Sequence, residues 1–371
     1  MLEKLHPQTM LAFKKYAYLL FALPLAFPVL TYWMAQAWGW QNFFAWGTVI
    51  FVFGIVPLLD AILGKDPANP DEETQVPQLS GERYYRILTL ACVPAYAALL
   101  VWGALVFMED NLSIIGKLGW LMSIGTVGGL GIAVAHELIH KDEKLEQWAG
   151  GLLLSMVSYA GFKIEHIRGH HVHVSTPEDA SSARYNQSLY EFLPHAYKHN
   201  FLNAWKLEKQ KLERKKQPFI SRHNELIWWY GITLGLLAAF SLAFGWMGAL
   251  FFVGQSFFAM TLLEIVNYLE HYGLHRRKLE NGRYERTMPE HSWNSNYFLT
   301  NIILFHLQRH SDHHAYAKRR YQVLRHHDSA PQLPAGYATM VLLALVPPLW
   351  KRVMNPRVEA YYQGEEHQLA S

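Results

Sequence analysis

The chain has 371 residues, of which 51% are hydrophobic and 17% are charged, and this composition excludes an intrinsically disordered protein. The single cysteine, Cys92, excludes an intrachain disulfide, a cysteine-based zinc site and an iron–sulfur cluster held by this chain alone. The formal net charge is only +3, so a basic partner surface would have to come from the distribution of charge. Histidine is unusually frequent, with 20 residues.

Several apolar runs reach the roughly 20 residues that a helix needs to cross the hydrocarbon of a bilayer. A soluble helical bundle would alternate apolar and charged faces, whereas FALPLAFPVLTYWMAQAWGW (21–40) has no charged face. We therefore predict an all-α integral membrane protein. In chain order, its six transmembrane helices are predicted at about 17–37, 42–63, 88–108, 113–140, 226–246 and 248–271.

The charges of the loops predict the orientation of these helices. The links near 38–41 and 245–247 carry no charge, whereas the longer loops are rich in Lys and Arg. Because basic loops stay on the cytoplasmic side, both termini are expected in the cytoplasm, with the protein in a bacterial inner membrane. The chain, 1–371, is treated as one domain whose cytoplasmic helical cap comes from 141–225 and 272–371.

Four segments carry histidines at spacings that suit metal ligands. HELIH ends the fourth apolar run, so its histidines should emerge at the cytoplasmic interface on one helix face. Three further segments, EHIRGHHVHV, NYLEHYGL and LQRHSDHHAY, are expected on the same side of the membrane. The candidate ligands are His136, His140, His166, His170, His171, His271, His310, His313 and His314.

The number of histidines indicates more than one metal ion. Structural zinc is almost always four-coordinate, so one ion cannot use nine imidazoles. Two ions would take four or five each, which suits iron with a position open to oxygen. HELIH also fits the zinc protease pattern HExxH, in which Glu137 would activate a water molecule, but seven further histidines would then have no role. A metal transporter should carry ionisable residues at the bilayer midplane, and the apolar runs are nearly free of them.

The histidine segments closely resemble those of the integral-membrane alkane 1-monooxygenases, a family of histidine-rich membrane di-iron enzymes. The resemblance is carried by HELIHK (136–141), EHIRGHH (165–171), NYLEHYGL (267–274) and LQRHSDHHA (307–315). Outside these motifs, PLLDAILGKDPANP (57–70) and GERYYRILT (81–89) are also similar to family sequence, and so is HSWNSNYFLTNIILFHLQRHSDHH (291–314).

The resemblance implies that the nine histidines hold two non-haem iron ions, without a haem. It implies O2-dependent terminal hydroxylation of a linear alkane to a 1-alkanol. Electrons would come from rubredoxin, reduced by an NAD(P)H-dependent rubredoxin reductase. Rubredoxin needs two CxxC pairs, so with one Cys in this chain the donor must be a separate chain or a fused portion absent from it. Two alternatives remain: a related di-iron enzyme acting on fatty acyl chains or alkylarenes, and a histidine-rich metal transporter.

An alkane dissolves in the bilayer and has no polar group, so we expect it to bind in an apolar channel between helices. The channel candidates on the fourth helix are Gly128, Gly129, Leu130 and Ile132, although close helix packing explains the glycines equally well. Polar residues near the histidines are candidates for holding the imidazoles, or are ordinary surface charges. These candidates are Glu137, Glu165, Asp179, Asn267, Glu270 and Asp312.

The basic segment 206–222 has two interpretations. It contacts anionic lipid headgroups, or it attracts an acidic rubredoxin. Binding of nucleic acid is not expected, because the basic residues adjoin membrane helices and no recognition module is present.

Overall fold

The computed structural model describes residues 7–362, and these form helices joined by loops. Among these residues no strand is present, and β-type pairing is limited to isolated bridges. The helical prediction is therefore confirmed for this part of the chain. The predicted cap and domain extend to residue 371, and their terminal residues 1–6 and 363–371 lie outside the described part.

The N-terminal third contains two apolar helical segments. The first runs from α1 (Pro7–Ala17) through a 3-10 turn (Tyr18–Phe21) into α2 (Ala22–Trp38). The tighter turn precedes Pro24, which has no N–H to donate to the carbonyl group four residues earlier. After the short α3 (Gln41–Phe44), the second segment comprises α4 (Gly47–Ile50), a π turn (Phe51–Ile55) and α5 (Val56–Leu63).

Two long helices form the centre of the molecule. After α6 (Gln75–Gly81), they are α7 (Arg83–Met108) and α8 (Ile114–Ile139), and α9 (Lys144–Met156) follows. The Ser113 side chain accepts a hydrogen bond from the Gly116 N–H and thereby caps the start of α8. A Cβ atom on Gly125 would lie 2.8 Å from the carbonyl oxygen of Gln255, so glycine permits a close helix crossing here.

The following segment carries short helices and one long helix. It contains α10 (Phe162–Glu165), a π turn (His166–His170), α11 (His171–His173) and α12 (Leu189–Arg214). A capping box of Ser188 and Glu191 begins α12.

The helix α13 (Glu225–His271) consists of two arms that meet at Gly245. Gly245 has a φ of 65°, which interrupts the helix and suits glycine. The rings of Phe240 and Phe252 lie 5.3 Å apart. In a straight helix, residues twelve positions apart would be separated by about 18 Å. The chain therefore reverses at Gly245, and the second arm returns beside the first.

The C-terminal part begins with a 3-10 turn (Pro289–His291) and α14 (Phe298–Ile303). It continues with α15 (His310–Ala315), a further 3-10 turn (Tyr321–Val323), α16 (Tyr337–Ala344) and α17 (Pro347–Tyr362). These elements cover the end of α13 that carries His271.

By length and composition, four described helices could cross a membrane: Gln8–Trp38, Arg83–Met108, Ile114–Ile139 and Glu225–His271. The predicted run 42–63 instead appears as a shorter apolar helix, Gly47–Leu63. The predicted runs 226–246 and 248–271 are the two arms of α13. A membrane protein is thus supported, with four candidate spans of full length.

Candidate metal centre

The last turns of α8 present the first two histidines. His136 and His140 are four residues apart, so their side chains project from the same face of the helix. Their ring centroids lie 5.1 Å apart, and both side chains are buried. The sequence prediction that this pair ends the fourth helix agrees with the observed bounds of α8.

A π turn arranges the second set of histidines. In an α-helix, His166 and His171 would point in different directions, because five residues exceed one turn of 3.6 residues. The π turn His166–His170 accommodates an extra residue, and the Nε2 atoms of His166 and His171 lie 3.1 Å apart. The neighbouring His170 points elsewhere, with its Nε2 atom 3.2 Å from Nε2 of His314.

The remaining histidines come from α13 and α15. His271 is the last residue of α13 and is fully buried. On α15, His310 and His314 are four residues apart, and their Nε2 atoms lie 2.8 Å from each other. His313, on the same short helix, has its Nε2 atom 3.1 Å from that of His171.

Together the nine predicted histidines form two groups, within each of which the possible ligand atoms all lie within 4.8 Å of one another. We call them the five-histidine group and the four-histidine group. The first consists of His136, His140, His166, His171 and His313, and the second of His170, His271, His310 and His314. The groups adjoin, since the ring centroids of His171 and His314 are 4.4 Å apart.

The convergence of nitrogen atoms in these groups is characteristic of metal ligands. Two imidazole nitrogens at right angles around one ion, each about 2.05 Å from it, would be separated by about 2.9 Å. Observed Nε2 separations run from 2.8 Å to 3.2 Å. Within residues 7–362, the buried Nε2 atoms of His136, His140 and His271 have no hydrogen-bond partner. The donor set therefore fits two cations that prefer imidazole nitrogen, which include iron, zinc, copper and nickel.

Burial keeps most of these imidazoles neutral. It lowers the pKa of His166, His171, His310 and His313 well below the ordinary histidine value, and the neighbouring histidines lower it further. Burial also lowers the pKa of His170, but the Asp179 carboxylate acts in the opposite direction and raises it overall. Neutral imidazoles are the form that binds a metal ion.

Two of the polar candidates contact a histidine of the groups. Oδ2 of Asp179 lies 2.9 Å from Nδ1 of His170, and it also accepts a hydrogen bond from the Ser182 hydroxyl. Oε2 of Glu270 lies 3.1 Å from Nε2 of His310, and its other oxygen accepts a hydrogen bond from Tyr337. Both carboxylates are buried.

The other four polar candidates have different partners. Glu137 pairs with Lys141 at 2.9 Å and turns away from the histidines of its own helix. Asp312 contacts His327 and Arg319, Glu165 accepts a hydrogen bond from Asn203, and Asn267 donates one to Glu264. Burial raises the pKa of Glu165 to about 8.

Sequence reasoning did not select several residues that lie beside the histidines. The ring of Phe162 is stacked on that of His166 at a centroid distance of 4.5 Å. Glu264 is fully buried and accepts hydrogen bonds from Tyr159 and from Asn200. The available signal was a carboxylate inside an apolar run, seven residues before His271 and so on the same helix face.

An apolar cavity lies between the helices, and two of its lining residues are close to the histidine groups. It is lined by α8, the second arm of α13, the π turn Phe51–Ile55, α14 and α16. The two residues close to the histidine groups are Ala133, three residues before His136 on α8, and Tyr337, whose hydroxyl donates a hydrogen bond to Glu270. The hydroxyl groups of the lining residues Thr126 and Thr300 likewise donate hydrogen bonds within the protein, to the carbonyl oxygen of Met122 and to Asp60. The cavity therefore suits an apolar ligand.

The structure separates the four channel candidates. Gly129 and Leu130 line the apolar cavity. Gly128 faces the other way, because a Cβ atom there would lie 3.0 Å from that of Ala259 and 3.1 Å from Val157. Ile132 is fully buried in the main hydrophobic core. Close packing is thus the observed setting of Gly128 and Ile132.

A second groove of about 710 Å³, the polar groove, lies beside the four-histidine group. It is lined by Asp179, which contacts His170, and by Ser182, which donates a hydrogen bond to Asp179. Its walls carry basic residues, namely Arg184, His195, His275, Arg276, Arg277 and Lys278. An apolar cavity and a groove with charged walls therefore lie at different places beside the histidine groups.

Comparison with known proteins finds a matching family profile and several similar full-length sequences. The sequence profile of the fatty acid desaturase family matches residues 112–344, which include all four histidine segments. Alkane 1-monooxygenase 1 of Pseudomonas aeruginosa is 64% identical, over 100% of this chain and 98% of the relative. Alkane 1-monooxygenase 2 of the same organism is 62% identical over 100% and 98%, and alkane 1-monooxygenase 2 of Alcanivorax borkumensis is 60% identical over 100% and 97%.

Proposed function

The chain belongs to the alkane 1-monooxygenases, a family of histidine-rich membrane oxidoreductases, and on this basis we propose that it hydroxylates the terminal carbon of linear alkanes. O2 is the co-substrate and the product is a 1-alkanol. The observation that carries the proposal is the presence of two histidine groups beside an apolar cavity, whose lining residue Tyr337 is hydrogen-bonded to Glu270, a contact of His310.

The five-histidine group and the four-histidine group each hold one non-haem iron ion. When bound, the irons supply the redox chemistry that activates O2 for attack on an unactivated C–H bond. Neighbouring side chains hold the ligand imidazoles in the tautomer that binds metal. Asp179 accepts a hydrogen bond from the Nδ1–H of His170, which fixes the proton on Nδ1 and leaves Nε2 free to bind metal.

The apolar cavity selects and orients the substrate. Burial of the hydrocarbon contributes about 0.8 kcal/mol for each methylene group, and the lining hydroxyls offer no free donor to a polar molecule. A cavity between helices admits the chain end first, and the terminal methyl group would lie beside Ala133 and Tyr337, the lining residues close to the histidine groups. The dry lining also excludes water from the reacting carbon.

We further propose six membrane crossings with both termini in the cytoplasm. The reversal at Gly245 makes each arm of α13 one crossing, and Gly47–Leu63 supplies the second crossing. Trp38, Trp40 and Trp246 are exposed at the links that carry no charge, which suits an interface with the membrane on the side opposite the basic loops.

The electron donor is an external rubredoxin, itself reduced by a NAD(P)H-dependent reductase. Two basic surfaces are available for it. One is the segment 206–222, in which Lys211 is already paired with Glu208 and Glu225. The other is the polar groove, which approaches His170 through Asp179. The groove is the better route for electrons, because its lining residue Asp179 contacts His170 of the four-histidine group.

The proposal is tested with purified protein in lipid or detergent. Metal analysis should find two irons per chain, and rubredoxin, its reductase, NADH and O2 should convert octane to 1-octanol. His313→Ala and His314→Ala, one from each group, should lose iron and 1-octanol formation. His223→Ala, at an exposed histidine, is the matched control and should keep both. Zinc-only binding with hydrolytic activity would contradict the proposal.

A second candidate is an enzyme acting on fatty acyl chains, since the fatty acid desaturase profile covers the catalytic part of the chain. Such a substrate carries a polar head, for which the apolar cavity offers no free hydrogen-bond donor among Thr126, Thr300 and Tyr337. Parallel assays with octane and an acyl thioester of equal chain length distinguish the two. Faster turnover of the thioester would favour the second candidate.

A further inference from the structure

A buried tyrosine–carboxylate pair lies behind the histidines. Glu264 is completely buried and accepts hydrogen bonds from the Tyr159 hydroxyl, from Asn200 Nδ2 at 3.1 Å and from Asn267 Nδ2 at 3.2 Å. Three donors surround this carboxylate, and its ionised form is the one that accepts the proton. The phenolic proton of Tyr159 already points at it.

The ring of Tyr159 is connected to the five-histidine group by stacked aromatic rings. Tyr159 and Phe162 have centroids 5.3 Å apart with planes inclined by 28°. Phe162 and His166 follow at 4.5 Å and 24°. Electron transfer is rapid across van der Waals contacts of this kind, and no charged side chain interrupts the stack between the phenol and His166.

From this arrangement we propose that Tyr159 is a redox-active tyrosine that protects the centre, an inference that rests on the proposed oxygenase function. When the centre is oxidised by O2 and no alkane is bound, one electron passes from Tyr159 through Phe162 and His166 to the centre. The phenolic O–H bond breaks and its proton forms a new O–H bond on Glu264. Tyr159 becomes a neutral radical, and the centre is reduced by one electron.

The electron donor protein completes the cycle. One electron from it reduces the radical, and Glu264 returns the proton to the phenolic oxygen. Each such cycle thus removes one oxidising equivalent from the centre without attack on the histidines or on neighbouring side chains. Proton transfer to Glu264 leaves the ligand contacts unchanged, since the partners of Glu264 are Tyr159, Asn200 and Asn267.

Tyr337 is the competing candidate, because its hydroxyl donates a hydrogen bond to Glu270 at 2.7 Å. Glu270, however, lies 3.1 Å from His310 Nε2, so a proton arriving there would disturb a proposed ligand. Tyr96, which is also buried, serves as a control. Its hydroxyl donates to the amide oxygen of Gln255 at 2.7 Å, which is a poor proton acceptor compared with a carboxylate.

The test uses the full-length, iron-loaded protein with rubredoxin, its reductase, NADH and O2, frozen during turnover without alkane. Electron paramagnetic resonance should detect a tyrosyl radical, assigned by its narrowing when the protein contains ring-deuterated tyrosine. The signal should be lost in Tyr159→Phe and retained in Tyr96→Phe and Tyr337→Phe. In Glu264→Gln, which keeps the phenol but removes the base, it should fall to background. Tyr159→Phe should also lose activity after fewer turnovers without alkane.

The outcomes separate this inference from the proposed function. A signal undiminished in Tyr159→Phe, or lost in Tyr337→Phe instead, overturns the assignment to Tyr159. A sample that forms 1-octanol from octane yet shows no tyrosyl radical overturns the inference and leaves the proposed function intact. A sample with two irons that forms no 1-octanol contradicts the proposed function itself. If Tyr159→Phe folds poorly, judged by its iron content, Glu264→Gln decides the question.

Discussion

At the scale of single residues, the carboxylates beside the histidines differ in their burial and in the side chains that they contact. Asp179 is buried and directs one lone pair at Nδ1 of His170, whereas Asp142 is exposed and pairs with Lys318 at the surface. A buried carboxylate such as Asp179 fixes the tautomer of a ligand imidazole. An exposed ion pair such as that of Asp142 contributes little to stability.

Asp179→Asn should therefore weaken metal binding in the four-histidine group by roughly 10- to 100-fold. The amide can donate as well as accept, so it no longer selects the His170 tautomer with Nε2 free. Titration of the metal-free protein with ferrous ion measures the effect. Asp142→Asn is the control, and equal iron affinity in the two variants would show that Asp179 has no such role.

Leu130→Phe should shorten the longest alkane that is hydroxylated, because Leu130 lines the apolar cavity and phenylalanine fills part of it. Product formation from a series of linear alkanes measures the change. Leu118→Phe, on the exposed side of the same helix, should leave the chain-length preference unaltered. An unchanged preference in Leu130→Phe would place the substrate in a different cavity.

At the scale of elements, the close crossing of α8 and α13 places His136 and His271 at one end of the molecule. Gly125 lies at this crossing, with the carbonyl oxygen of Gln255 2.8 Å from where a Cβ atom would be. Small residues at such crossings let helix backbones approach in a membrane.

Gly125→Val should destabilise the protein by about 1–3 kcal/mol through overpacking. The change appears as a lower thermal unfolding temperature in detergent, accompanied by loss of iron as the histidines separate. Gly235→Val is the matched control, because a Cβ atom at Gly235 would meet no atom within 4 Å. A similar decrease of the unfolding temperature in both variants would mean that the helix crossing at Gly125 tolerates a larger residue.

Much of this architecture follows from the sequence, and the remainder depends on local deviations from regular helices. Hydrophobic run length predicts α7 and α8 closely, and histidine spacing selects the nine clustered residues. The division into groups was not predictable, since it depends on the π turn at His166–His170, which brings His171 beside His166. The partner of each carboxylate was not predictable either. Asp312 adjoins His313 in sequence yet contacts His327, whereas Asp179 is nine residues from His170 and contacts it.

At the scale of the whole molecule, the reversal at Gly245 decides the topology. If both arms of α13 cross the bilayer, the link at Trp246 lies on the side opposite α12. Lys209, on α12, should then lie on the cytoplasmic side with the basic loops.

A membrane-impermeant thiol reagent added to intact cells should label Trp246→Cys but not Lys209→Cys. Lys209→Cys should react only after the inner membrane is permeabilised. The native Cys92 is buried and supplies little background. Labelling of both positions in intact cells, or of neither, would contradict the proposed six crossings.

The central claim is that the nine histidines hold two irons. It is tested most directly by anomalous scattering at the iron absorption edge from crystals of the metal-loaded protein. We predict two iron peaks, one surrounded by His136, His140, His166, His171 and His313 and the other by His170, His271, His310 and His314. A single peak shared by both groups, or scattering that appears at the zinc edge and not at the iron edge, would contradict this account.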